Sequence, residues 1–139
     1  MRTFIDGDNR TWTVKITIGT AIRVRELTGV DILQPETDSG SVAVRLAVDS
    51  VFVAQVVTAI LRPDIERAGI TPEQFADSLD GKAAAAAQTA VTEELRDFFA
   101  DSGRADRALM IQTTMAKLAE SAERITSGAA SGVLPEASA

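Results

Sequence analysis

Apolar and polar residues alternate from Thr11 to Ile18. Trp12, Val14, Ile16 and Ile18 fall on one face, and Thr11, Thr13, Lys15 and Thr17 on the other. Period two in β-branched and aromatic residues predicts a strand over Arg10 to Ile18. Arg2 to Ile5 supplies a second arm. Asp6-Gly7-Asp8-Asn9 lies between the arms and is rich in residues that tolerate a left-handed backbone, so residues 2–18 read as a β-hairpin. A two-stranded hairpin is marginal alone, and its apolar face must pack on the helices later in the chain.

After Gly19 the period changes to that of a helix. Ala21, Ile22, Val24 and Leu27 make its expected apolar side, and Arg23, Arg25 and Glu26 its wet side. Gly29 stands where a left-handed residue closes a helix. The stretch Trp12 to Leu33 thus passes from strand to helix to apolar loop. Trp12, Val14, Ile16 and Leu27 are expected to anchor the hairpin to the apolar segment 51–61.

Gln34 to Ser41 reads as a polar linker. Val42 to Leu61 reads as two helices with a break near Asp49-Ser50, and Gln55, Thr58 and Arg62 recur at helical spacing in the second. Pro63 ends it. A turn of helix over 64–68 closes at Gly69. Thr71-Pro72-Glu73-Gln74 has the composition of a capping box, with Phe75, Ala76 and Leu79 inward on the helix behind it.

Lys82 to Ala100 opens with five alanines, the best helix formers. Ala84, Ala87, Val91, Leu95, Phe98 and Phe99 make its stripe, and Thr92, Glu93, Arg96 and Asp97 face out. The short Asp101-Ser102-Gly103 connection makes the next helix an antiparallel neighbour. In that helix, 104–127, Ala108, Ile111, Met115, Leu118, Ala122 and Ile125 recur at alternating spacings of three and four, a narrow coiled-coil type of seam. Packing on the 82–100 helix and a seam offered to another protein both fit. Residues 128–139 are small and polar and are expected to be disordered. The expected fold is mainly α, a single α-rich domain over 1–127 with its N-terminal β-hairpin packed on a bundle of about five to six helices.

Length agrees with one domain, since the chain has 139 residues. Ala and Val dominate the apolar set and aromatics are only 4% of the chain, so each buried side chain removes little area from water. The expected stability is modest, and self-association would add to it. The net charge of −6 disfavours nucleic acid and anionic membrane surfaces as partners. No apolar run reaches the length of a transmembrane helix and the first residues do not form a signal peptide, so the expected compartment is the cytosol.

The chain has no Cys, His or Tyr, which removes the thiol nucleophile, the commonest general base and the commonest metal ligand. Asp6-Gly7-Asp8-Asn9 could open a calcium loop, but such a loop needs ligands at alternating positions and a Glu about a dozen residues on. Arg10 and Thr17 stand in the way, and a turn is the better reading. Lys15, Arg23 and Arg25 make a small basic spot, read as a solvated face rather than an anion site. Carboxylate pairs (Asp6 and Asp8, Glu93 and Glu94, Glu120 and Glu123) have no apolar setting that would raise a pKa for acid catalysis. No phosphate-cradling Gly loop appears, and no Ser has a His partner. The residues point to no enzyme, no cofactor and no metal.

The order of parts is itself specific. D-G-D-N-R-T-W-T-V-K-I-T-I-G-T, then A-I-R-V-R-E-L-T-G-V-D-I-L, an apolar helical region, G-I-T-P-E-Q-F and L-R-D-F-F together resemble the tail assembly chaperones of long-tailed bacteriophages and related prophages. The resemblance spans about Arg2 to Ala100. It implies a helical, often oligomeric protein in the host cell cytoplasm. Such a protein binds the long tape measure protein, keeps it soluble and helps bring tail tube subunits to it. The family often makes a longer product by frameshifting, and a flexible end at 128–139 would suit such an extension. The family has no catalytic residues to carry over. On this reading Val91, Leu95 and Phe98, with Ile111, Met115, Leu118 and Ile125, form the partner-binding or self-assembly surface. The alternative is a structural virion component, such as a head–tail connector or tail-completion protein.

Overall fold

A computed structural model of the chain describes residues 1–34, 36–37 and 40–130, with the side chains of 1–34 and 42–120. It is mainly helical behind an N-terminal hairpin, as the periodicity predicts. The elements are β1 (Arg2–Ile5), β2 (Thr11–Val14), α1 (Ile18–Thr28), β3 (Glu36–Thr37), β4 (Gly40–Ser41), α2 (Val42–Val48), α3 (Ser50–Ile60), α4 (Arg62–Arg67), α5 (Pro72–Asp77), α6 (Gly81–Asp101) and α7 (Ala105–Ala130).

β1 and β2 pair antiparallel with Phe4 opposite Trp12 and Arg2 opposite Val14. The Asn9 N–H donates to the Asp6 carbonyl at 3.1 Å and Asn9 is left-handed at φ 65°. This is a three-residue turn with a bulge, one of the common hairpin connections. Phe4, Trp12 and Val14 are buried. The second strand stops at Val14 instead of reaching Ile18. The Thr17 hydroxyl caps a helix there, accepting from the Thr20 N–H at 3.1 Å, so Ile18 is the first residue of α1 and is exposed. Ile16 remains buried in the connection.

On α1 the buried residues are Thr20, Ala21 and Val24. Ile22 and Leu27, expected inside, are 54% and 50% exposed: Ile22 lies on the far side of the helix from Ala21 and Val24, and Leu27, a turn beyond Val24, borders an open groove with Thr58 and Ala59. Arg23, expected in water, is half-buried. Its guanidinium donates to the carbonyls of Ala59 and Ile60 at 3.0 and 2.6 Å, satisfying the orphan acceptors at the end of α3. Gly29 has φ 77° and its N–H donates to the Arg25 carbonyl at 2.8 Å, the closing role read from its position.

α2 and α3 meet at an angle of 108°. The bend sits at Asp49, whose side chain accepts from the Phe52 N–H at 3.0 Å and starts a new helix. No described helix is by itself long and apolar enough to cross a membrane. α3 buries Phe52, Val53, Val56, Val57, Ala59 and Ile60, while Val51 is exposed. The expected linker 34–41 contains the short β3–β4 ladder, and Pro35, Asp38 and Ser39 lie outside the described residues.

Among the described residues there are seven helices, where about five to six were expected. Residues 62–67 form a full helix whose end is closed by the Gly69 and Ile70 N–H groups, bonded to Glu66 and Ile65. The capping box at Thr71 and Gln74 is present. The hairpin rests on α6 and on Phe75 of α5, whose ring meets Trp12 edge-on at 5.0 Å. It is α1, not the hairpin, that packs on α3. α7 continues to Ala130, so residues 128–130 of the expected tail are helical, and 131–139 lie outside the described residues.

Candidate functional site

α6 and α7 form the surface expected to meet a partner. Asp80 caps α6, accepting from the Ala83 N–H at 2.9 Å. At the other end the N–H groups of Gly103 and Arg104 donate to the carbonyls of Ala100 and Phe99 at 3.3 and 2.7 Å. Those bonds end the helix and turn the chain back, so α7 packs antiparallel along α6 and also touches α2.

The packing sorts the seven expected contact residues. Val91, Leu95 and Ile111 are at most 1% exposed and belong to the core between α6 and its neighbours. Phe98, Met115 and Leu118 are partly exposed. The side chain of Ile125, like that of Ala122, lies outside the described residues. The first half of the α7 seam, Ala108 and Ile111, is therefore buried, and Met115 and Leu118 open at its edge. There they line a groove of about 290 Å³ with Ala47, Gln88, Thr92 and Ala119.

Polar groups shape this groove. The Gln88 amide donates to the carbonyls of Leu46 and Ala47 at 2.8 and 2.7 Å, capping the end of α2. Thr92, expected to face water, is buried and donates to the Gln88 carbonyl at 2.7 Å. Its hydroxyl finds a partner one turn back, which is how a helix tolerates a buried Thr. Arg107 donates to the Leu33 carbonyl at 2.7 Å and lies 5.8 Å from the centre of the Phe99 ring, fixing the start of α7.

Two carboxylates expected on the surface are buried. Asp6 accepts four hydrogen bonds: from the N–H groups of Asp8 and Arg10 at 2.8 and 2.9 Å, from Arg10 Nε at 2.9 Å and from Trp12 Nε1 at 2.8 Å. Burial alone would push its pKa up, but the donors outweigh it and hold the carboxyl at about 2. Both oxygens are occupied, so Asp6 organises the turn. Glu94 meets the Met1 ammonium group and has Arg2 Nη1 at 3.7 Å. Arg2 also donates to Glu93 and Asp97 at 3.0 and 2.6 Å, and this bond holds the Asp97 carboxyl below the usual range. Together they fasten β1 to α6. Among the described residues no group of three acidic side chains could hold a metal ion.

Compared with models of protein families, with curated proteins and with solved structures, the chain matches none.

Sequence reasoning missed the apolar residues that stay exposed: Ile18 and Ile22 on α1, Val48 and Val51 at the α2–α3 bend, and Leu109 on α7. The signal was present on α1. Thr17, Ala21, Val24 and Thr28 define one side by their spacing, and Ile18 and Ile22 fall opposite it.

Proposed function

We propose that the protein is a phage tail assembly chaperone that binds the tape measure protein, keeps it soluble in the host cytoplasm and helps recruit tail tube subunits. The observation that carries this reading is the groove between α2, α6 and α7. Met115 and Leu118 stay partly exposed there at the edge of a seam whose first half is buried. A helical partner with an apolar stripe can continue that seam in the manner of a helix laid in a groove. The net charge of −6 would keep such a complex dispersed. The order of hairpin, α1 and the T-P-E-Q-F helix start adds the family resemblance. Val91, Leu95 and Ile111 support the surface from beneath, and Phe98, Met115 and Leu118 would touch the partner.

Co-purification with the tape measure protein from cells making both, with mass spectrometry of finished particles, tests the proposal. A chaperone binds the tape measure protein and is absent from virions. Stoichiometric presence in virions would favour the structural component instead.

A further inference from the structure

α2 already sits on the seam of α7. It packs on α7 and on α6, and its Ala47 borders Met115 and Leu118 at the groove. It buries Val42, Ala43 and Leu46 in the same core cluster as Ala108 and Ile111, the covered half of the seam. Its sequence, V-A-V-R-L-A-V, is itself an apolar helical stripe of the kind a groove takes from a partner.

α2 is lightly tethered. Seven residues make two turns, too few for a helix to persist without packing. One non-helical residue, Asp49, joins it to α3, at φ −114° and ψ 97°, so rotation there moves α2 as a unit. On its other side residues 34–41 separate it from Leu33, whose carbonyl Arg107 holds. Eight residues reach up to about 28 Å when extended, which leaves length for the movement.

The bend also explains Gln88. In an unbroken helix the carbonyls of Leu46 and Ala47 would accept from residues 50 and 51. The bend removes those donors, and the Gln88 amide supplies both bonds from α6. Arg45, 3.9 Å from the centre of the Phe52 ring, ties α2 to α3 across the bend.

We propose that α2 is an autoinhibitory strap. It swings about Asp49 when the Gln88 catch releases, uncovers the seam from Met115 back to Ala108, and gives up its place to a helix of the tape measure protein. The identity of the incoming helix rests on the chaperone reading, and the movement rests on the geometry of α2. Opening puts Ala108, Ile111, Met115 and Leu118 in one line, of which Met115 and Leu118 are partly exposed at rest. The incoming helix must match the inner face of α2, with branched aliphatic residues four apart, as at Val42 and Leu46, a small residue beside them, as at Ala43, and no charge on that side.

The test is thiol labelling of the whole chain, which has no Cys of its own. Ala43→Cys reports α2 leaving the core, and Ala21→Cys on α1 is the comparison, since both sites are buried. The thiol at 43 should react about tenfold or more faster than the thiol at 21. Adding Gln88→Leu should raise the rate at 43 about tenfold further and leave the rate at 21 unchanged. In the complex with the tape measure protein the rate at 43 should rise again. Equal rates at the two sites of the otherwise wild-type chain would overturn the strap, and so would a Gln88→Leu effect of equal size at both. A complex in which position 43 is no more reactive than in the free protein would also overturn it and leave the chaperone reading standing. Failure to form any complex would remove the chaperone reading, and the two rates in the free protein would still decide whether α2 opens.

Discussion

The Trp12 indole N–H donates to the Asp6 carboxylate at 2.8 Å. The buried ring and the buried turn carboxylate thereby fix each other, and Phe75 closes on the ring from α5. These two contacts join the turn, the second strand and the helices.

Stability should depend on pH through Asp6. Its folded pKa of about 2 lies below the ordinary 3.8. The stabilisation is present above the unfolded value and is lost as pH falls through the folded one. The difference corresponds to about 2 kcal/mol. Urea melts followed by Trp12 fluorescence should be flat above about pH 5 and lose stability steadily toward pH 2. Asp6→Asn should be less stable by about 2–3 kcal/mol at pH 7 and show a shallower acid limb. An unchanged limb would remove Asp6 from this role.

Trp12→Ala should cost about 3–5 kcal/mol, since the ring is buried. Trp12→Phe keeps most of the packing but leaves the Asp6 carboxylate one donor short, and should cost less. If the Ala variant melts like the wild type, the hairpin is peripheral to the fold.

Gly7 is required for close approach rather than for backbone freedom. Its N–H donates to the Ser78 carbonyl at 2.7 Å, and a Cβ would stand 2.8 Å from that oxygen and 2.9 Å from Asp80 Oδ2. Gly7→Ala should push the turn off the α5–α6 junction and destabilise by about 1–3 kcal/mol. Thermal melts check it, with Gly19→Ala as the comparison, because a Cβ at Gly19 meets only the Thr17 hydroxyl at 3.6 Å.

Arg23→Met keeps the aliphatic stem and leaves the Ala59 and Ile60 carbonyls without their donor. A loss of about 1–3 kcal/mol is expected. The amides in the last turn of α3 should exchange faster while those of α6 keep their protection.

Three helix boundaries were legible because they depend on neighbouring residues. The Thr71 capping box, the Asp49 break and the Gly29 closure need only local hydrogen bonds. What depended on tertiary direction was not legible. The spacing of Ala21 and Val24 marks one side of α1 with Ile22 opposite it, but that α3 is the element covering this side, and leaves Leu27 half in solvent, depends on the tertiary fold. Arg23 looked solvated because its acceptors belong to residues 36 and 37 positions away. Asp6 looked like an ordinary turn residue because the indole that buries it comes from the returning strand. The α7 seam was correctly periodic, yet its spacing could not say that Ala108 and Ile111 are covered while Met115 and Leu118 remain at a groove.

The central proposal is that this groove holds a helical tape measure protein in solution. The direct measurement is the soluble fraction of the tape measure protein when co-expressed with the wild type or with Met115→Glu/Leu118→Glu. Circular dichroism and melting of the variant alone show whether its own fold is intact. The account predicts a soluble tape measure protein with the wild type, and an insoluble one with a variant that still folds. A folded double variant that solubilises the partner as well as the wild type does would contradict it.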